Sequence, residues 1–215
     1  MSAGEALHSC CGASSLMVVL PGALMTPQHI VDAGLFRAVE QRGLALDLMA
    51  LDLHAHECGD QVALQTLEHQ VLVHARVQYD KVWLAGISRG GQLALSYLAE
   101  RIGPLDGMCL LAPYPGSRLT TNAITRAGGL LAWQPSAAQL LDPEFRLWQW
   151  LKRPTVEMPL FLGYGAQDRF ADGMLRLAAQ LPTADVHTMP GGHDWTAWTT
   201  LWASFLDSGH FGART

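Results

Sequence analysis

Alternation is the feature that most limits the fold of this chain. Short apolar runs take turns with segments whose apolar residues recur every three or four positions, and the pattern holds along most of the 215 residues. Leu16 to Leu20, Leu44 to Leu53, the run ending at Ile87, Met108 to Ala112, Pro159 to Tyr164 and Ala184 to Thr188 read as strands. Most are apolar throughout instead of every second residue, which suits strands buried on both faces of a parallel sheet. Between them lie helical spacings. Thr26 and Pro27 read as an N-cap and first helical position, ahead of Val31, Leu35 and Ala38. Leu64, Leu67 and Val71 mark a helix from Gln61 to Val77. A helix near Ala171 to Leu181 and a last one from Asp194 to about Leu206 complete the series. Repeated βα units predict an α/β fold, a mostly parallel sheet of about six strands with helices on both faces.

Length and composition agree with one well-filled core. A chain of 215 residues is sized for a single domain. With 49% hydrophobic and 15% charged residues the composition argues for a well-filled interior and against disorder. The net charge of −5 and the lack of a Lys/Arg-rich run argue against nucleic acid or an anionic membrane as partner. The N-terminal MSAGEALHSC has no basic region followed by a long apolar one, so a soluble cytoplasmic protein is expected. Cys10, Cys11, Cys58 and Cys109 follow no framework spacing and are expected to be free thiols. No cofactor and no metal are expected; His54, His56, Glu57 and Cys58 are the group that invites a metal alternative.

The alternation breaks from Pro113 to about Met158, a stretch rich in Pro, Gly, Thr and Trp with helical fragments at Ser136 to Leu141 and Pro143 to Leu151. That is long for a plain connection, so an excursion with its own role is expected.

The chemistry-bearing stretch is Gly86-Ile87-Ser88-Arg89-Gly90. A bare G-x-S-x-G arises by chance in roughly one in ten chains of this Gly and Ser content, so context has to carry it. Here Val82, Leu84 and Ile87 lead in as a strand, and Gly91, Leu95, Leu98 and Ile102 lead out as one side of a helix. A serine at such a corner is held with strained backbone angles, and flanking glycines let strand and helix approach. Its hydroxyl also sits at a helix N-terminus, where negative charge on a substrate oxygen is favoured.

A serine hydroxyl is a poor nucleophile at neutral pH and needs a base with an orienter. In an open α/β sheet these belong in loops after the carboxyl ends of strands. Asp168 lies just past the PLFLGY strand, and His193 lies in the glycine-loosened loop before the last helix, giving the chain order Ser88, Asp168, His193.

These segments resemble the α/β-hydrolase family over nearly the whole chain. GISRG resembles its nucleophile elbow, GAQDRF the segment holding its acid, and PGGHDW the segment holding its histidine, while Leu20-Pro21-Gly22-Ala23 occupies the place of its oxyanion loop. Asp52 to His56 resembles the stretch after the family's next strand. The resemblance implies Ser88 as nucleophile, His193 as base and Asp168 as the group that fixes the imidazole. It implies an oxyanion hole from the backbone N–H groups of Ala23 and Arg89, with Leu24 if the loop register differs by one. It places the family's lid at the Pro113–Met158 excursion, where Trp133, Trp148 and Trp150 are expected to wall a substrate pocket or else to pack the lid onto the body. The implied activity is hydrolysis of a carboxylic ester through an acyl-enzyme. The alternatives are acyl-thioester hydrolysis and a non-catalytic binding module on the same fold.

Pro21 stands where the family usually has histidine, and two N-terminal strands of larger members are expected to be missing. Asp172 is a rival acid whose position favours a helix cap; His187 falls within a strand; Asp194 is expected to cap the last helix. Trp195, Trp198, Trp202 and Phe205 step as a core stripe. Arg89 is expected to meet either a substrate anion or a surface acid.

Overall fold

The structure is a computed structural model that describes residues 5–53 and 55–214. Seven strands form one sheet in the order β1-β3-β2-β4-β5-β6-β7: β1 (Ala6–Ser9), β2 (Ser15–Leu20), β3 (Asp47–Leu51), β4 (Lys81–Ile87), β5 (Gly107–Leu111), β6 (Leu160–Gly165) and β7 (Asp185–Met189). All neighbours are parallel except β1, which runs antiparallel to β3. β1 is the strand beyond the expected six. The sequence ALHS is too short and too polar to show a strand period, and it pairs because β3 offers it an open edge.

Every residue of β2, β5 and β6 is buried, as is every residue of β4 after Lys81. Successive side chains point to opposite faces, so both faces of the central sheet are covered. One group of helices contains α1 (Pro27–Asp32), α2 (Leu35–Gln41) and α10 (Trp195–Leu206), with α10 against α2, β5 and β6. The other contains α4 (Asp60–Leu67), α5 (Val73–Gln78), α6 (Arg89–Ala99) and α8 (Pro143–Trp150), with α4 and α8 against α6. The short α3 (Ala55–Cys58) precedes α4.

The predicted first helix is two, because Gly34 takes φ 86° and breaks it between α1 and α2. The predicted Gln61–Val77 helix is continuous in path but carries a π turn, Glu68–Leu72, between α4 and α5. The buried Glu68 at its start pairs with Arg76 at 2.8 Å and accepts the Tyr97 hydroxyl of α6 at 2.5 Å. Between β5 and β6 the excursion holds α7 (Arg118–Arg126), a 3₁₀ turn (Gln139–Leu141) and α8; α9 (Ala171–Ala178) follows β6. α7 escaped the sequence reading because only Thr120 and Ile124 of its nine residues are buried, too few to show a stripe.

The four cysteines are free. No described helix is long and apolar enough to cross a membrane. Of the residues raised for a metal, His54 and the side chain of His56 lie outside the described residues.

Candidate active site

The carboxyl ends of β2, β4, β6 and β7 carry the predicted residues. Ser88 joins β4 to α6 with φ 52° and ψ −112°, a backbone state a non-glycine residue holds at a cost of about 1–3 kcal/mol. Its surroundings impose that state. The Ser88 N–H donates to Leu111 O at 2.9 Å, and its carbonyl accepts from Tyr114 at 2.8 Å and Gln92 at 3.1 Å. Both glycines are required. A Cβ on Gly86 would lie 2.3 Å from Gly90 O, and one on Gly90 would lie 2.2 Å from Leu20 O.

Asp168 and His193 come from different loops that are tied together. Gln167 N–H donates to Gly191 O at 3.0 Å, and Gly191 N–H donates to the Gln167 side-chain oxygen at 2.6 Å. Gly165 allows the approach, since a Cβ there would lie 2.2 Å from Gly191 O. The result is a chain of hydrogen bonds: His193 Nε2 to Ser88 Oγ at 2.8 Å, and His193 Nδ1 to Asp168 Oδ2 at 2.5 Å. The Asp168 side chain is fully buried, and its second oxygen accepts the Phe170 N–H at 2.8 Å. Phe170 and Trp198 meet the imidazole edge-on, with ring centroids 5.1 Å and 5.0 Å away, and hold its plane. Neither Gln167 nor Phe170 carried a sequence signal beyond its closeness to Asp168.

The β2–α1 loop faces the elbow. Gly22 O accepts from Met25 N–H, and Gly22 N–H donates to Met25 Sδ, which shapes a tight turn with Leu24 at φ 61°. Among the described residues, no acceptor takes the N–H groups of Ala23, Leu24 or Arg89. Beside this loop opens an apolar cleft of about 220 Å³, lined by Ala23, Met25, Leu51, Leu53, Arg89 and Leu93. The Arg89 side chain pairs with Asp60 and donates to Gln92 at 2.8 Å, so its charge is answered by an acid of the protein.

The three tryptophans expected at the pocket sit elsewhere. Trp133 and Trp148 are buried in the core, Trp150 packs partly buried against it, and none lines the apolar cleft. Trp148 donates its indole N–H to Pro115 O at 2.8 Å, and Lys152 covers Trp133. Their large apolar surface is what anchors the excursion, the packing role of the two that sequence left open.

Of the remaining expectations, the Asp194 cap is present and an Asp172 cap is not, since Phe170 holds the N-cap position of α9 with no side-chain cap. Asp194 caps α10, accepting Ala197 N–H at 3.0 Å. Asp172 lies in the first turn of α9, and His187 sits in β7 beside Asp185 and against Phe161. Trp198, Trp202 and Phe205 are buried, with Trp195 at the edge of the stripe.

Comparison with solved structures gives the same frame. MGS-MChE2, described as an α/β hydrolase enzyme from the metagenome of sediments of the Mar Chica lagoon, superposes with a TM-score of 0.65 over 96% of this chain and 98% of its own, at 14% identity. This chain has the α/β-hydrolase fold. The chain also superposes with FphF, a fluorophosphonate-binding serine hydrolase of Staphylococcus aureus, at TM-score 0.63 and 17% identity, covering 91% of this chain and 82% of that one. The thioesterase domain of the curacin biosynthetic pathway matches at TM-score 0.61 and 13% identity, with 94% of each chain covered. No protein-family model and no curated protein sequence matches. The antiparallel β1 closes one edge of this sheet beside β3.

Proposed function

We propose that the protein is a serine hydrolase that cleaves a carboxylic ester through an acyl-enzyme. The observation that carries this reading is the unbroken hydrogen-bond chain from Ser88 through His193 to the buried Asp168.

In this mechanism His193 Nε2 takes the Ser88 hydroxyl proton as Oγ attacks the ester carbonyl, and the carbonyl π electrons move onto oxygen. That oxyanion is met by the N–H groups of Arg89 and Ala23, or Leu24, each worth on the order of 3–4 kcal/mol. Collapse of the tetrahedral species breaks the bond to the leaving group, which departs with the proton held by His193. Water then repeats the sequence on the acyl-enzyme and returns Ser88 with the free acid. Asp168 keeps the Nδ1 proton in place and stabilises the imidazolium. The excursion between β5 and β6 acts as a short lid, which suits small or extended substrates. A thioester would pass through the same steps.

The test is turnover of p-nitrophenyl esters and acyl-thioesters of graded chain length, with Ser88→Ala alongside. Loss of activity in the variant by a factor of about 10⁴ or more, together with loss of fluorophosphonate labelling, is the expected result. The ester-to-thioester ratio assigns the preferred linkage. Equal rates for both proteins with no labelling would overturn the proposal in favour of a binding module.

A further inference from the structure

A second, polar cleft of about 500 Å³ adjoins the candidate active site on the side opposite the β2–α1 loop. Its walls include Tyr114 and Arg118 from the start of the excursion, and Arg169, Phe170, Asp172 and Arg176 from the segment after β6. Two contacts join it to the triad: Tyr114 N–H donates to Ser88 O, and the Phe170 ring touches both the His193 imidazole and the Tyr114 ring.

Its charge is unusual for this molecule. The chain as a whole is acidic, at −5, yet three arginines line this one cleft against a single aspartate. Of the nine other arginines, Arg42, Arg76, Arg89 and Arg146 each pair with an acid, and Arg37, Arg101, Arg126, Arg153 and Arg214 have no ion pair with a described residue; what sets this cleft apart is that three arginines line it together. None of the three cleft arginines is ion-paired with a described residue: all three are exposed at the cleft's rim, where Arg176 donates to Thr125 Oγ1 at 2.8 Å and Arg169 lies over the Phe170 ring. The nearby Glu144 is already engaged by Ser117 and Thr120. Like charges gathered without counter-ions repel, so an arrangement of this kind gains free energy from an anion that the protein itself does not supply.

Position within the reaction defines which part of the substrate that anion belongs to. His193 must hand its proton to the leaving group, and the wall of the polar cleft is the aromatic ring against His193. The acyl part then falls to the apolar cleft beside Ala23 and Arg89. We propose that the arginine cleft binds a phosphate or carboxylate carried by the leaving group, so that the preferred substrate is an apolar acyl group joined to an anionic alcohol or thiol. This deepens the hydrolase reading and rests on it.

The test uses three acetyl esters of matched shape: 4-acetoxybenzamide, 4-acetoxybenzoate and 4-acetoxyphenyl phosphate. We expect kcat/KM for at least one anionic ester to exceed that for the amide by about tenfold at low salt, through KM, and the ratio to collapse in the Arg118→Gln/Arg176→Gln variant. Arg118→Lys/Arg176→Lys should keep part of it. Whichever anion is preferred identifies the group. Equal ratios in wild type and the Gln variant would overturn the proposal while leaving the hydrolase reading intact. Should no ester turn over, titration of phenyl phosphate and benzoate into Ser88→Ala decides: binding lost with the two arginines upholds the cleft, and no binding overturns it.

Discussion

At the scale of single residues, the site depends as much on atoms that are missing as on those that react. Gly90 has no Cβ because Leu20 O and Pro21 O occupy the place where it would be, at 2.2 Å and 2.5 Å. Those carbonyls belong to the strand end that carries the Ala23 loop, so any displacement moves the nucleophile and the oxyanion donors apart together. Gly90→Ala should therefore lower kcat by about 10²-fold, the cost of roughly ångström-scale misplacement, and destabilise by about 1–3 kcal/mol. Steady-state kinetics and a thermal melt check both, and an unchanged kcat in a folded variant would refute the account. This part of the site was legible in sequence because G-x-S-x-G states a steric requirement locally. The arginine cleft was not, since Arg118 and Arg176 are 58 positions apart in the chain and only the fold brings them together.

At the scale of elements, strands and the helices beside them declared themselves wherever burial was one-sided or complete, as in β4 and α6. They were silent where burial was slight, as in β1 and α7, or where a single glycine redirected a helix, as at Gly34. For the aromatic residues of the excursion, sequence leaves pocket and packing both open, because it shows that Trp148 is apolar but not that Pro115 O waits for its indole N–H. The loops after β6 and β7 behave as one element through Gln167. Gln167→Ala removes the acceptor of Gly191 N–H and leaves Asp168 and His193 untouched. We expect kcat to fall by about tenfold with KM nearly constant, the mark of a positioning residue; a fall confined to KM would contradict it.

At the scale of the whole molecule, the C-terminal segment returns to the sheet and places His210 among Trp83, Phe205 and Phe211. Burial in this aromatic setting pushes the His210 imidazole below its ordinary value of 6.5, with Lys81 adding to the effect and Asp185 opposing it. The unfolded chain then binds the proton more readily than the folded one. The stability due to the neutral ring is complete above pH 6.5 and is lost as pH falls from there through the lower, folded-state value. Thermal midpoints measured from about pH 8 down to pH 5 should decline on the acid side, and His210→Phe should flatten that decline; an identical profile in the variant would exclude the ring as its source.

The ladder between β5 and β6 pairs Met108 with Leu160 across the whole excursion. Chain closing such a gap costs little more as it lengthens, about 0.6 kcal/mol for each doubling. Between Tyr114, which holds the Ser88 carbonyl, and α8, whose Trp148 is buried in the core, the stretch that supplies Arg118 can thus change in length at small entropic cost. Descendants of this scaffold would inherit the reaction from the sheet and acquire new appetites from one replaceable segment.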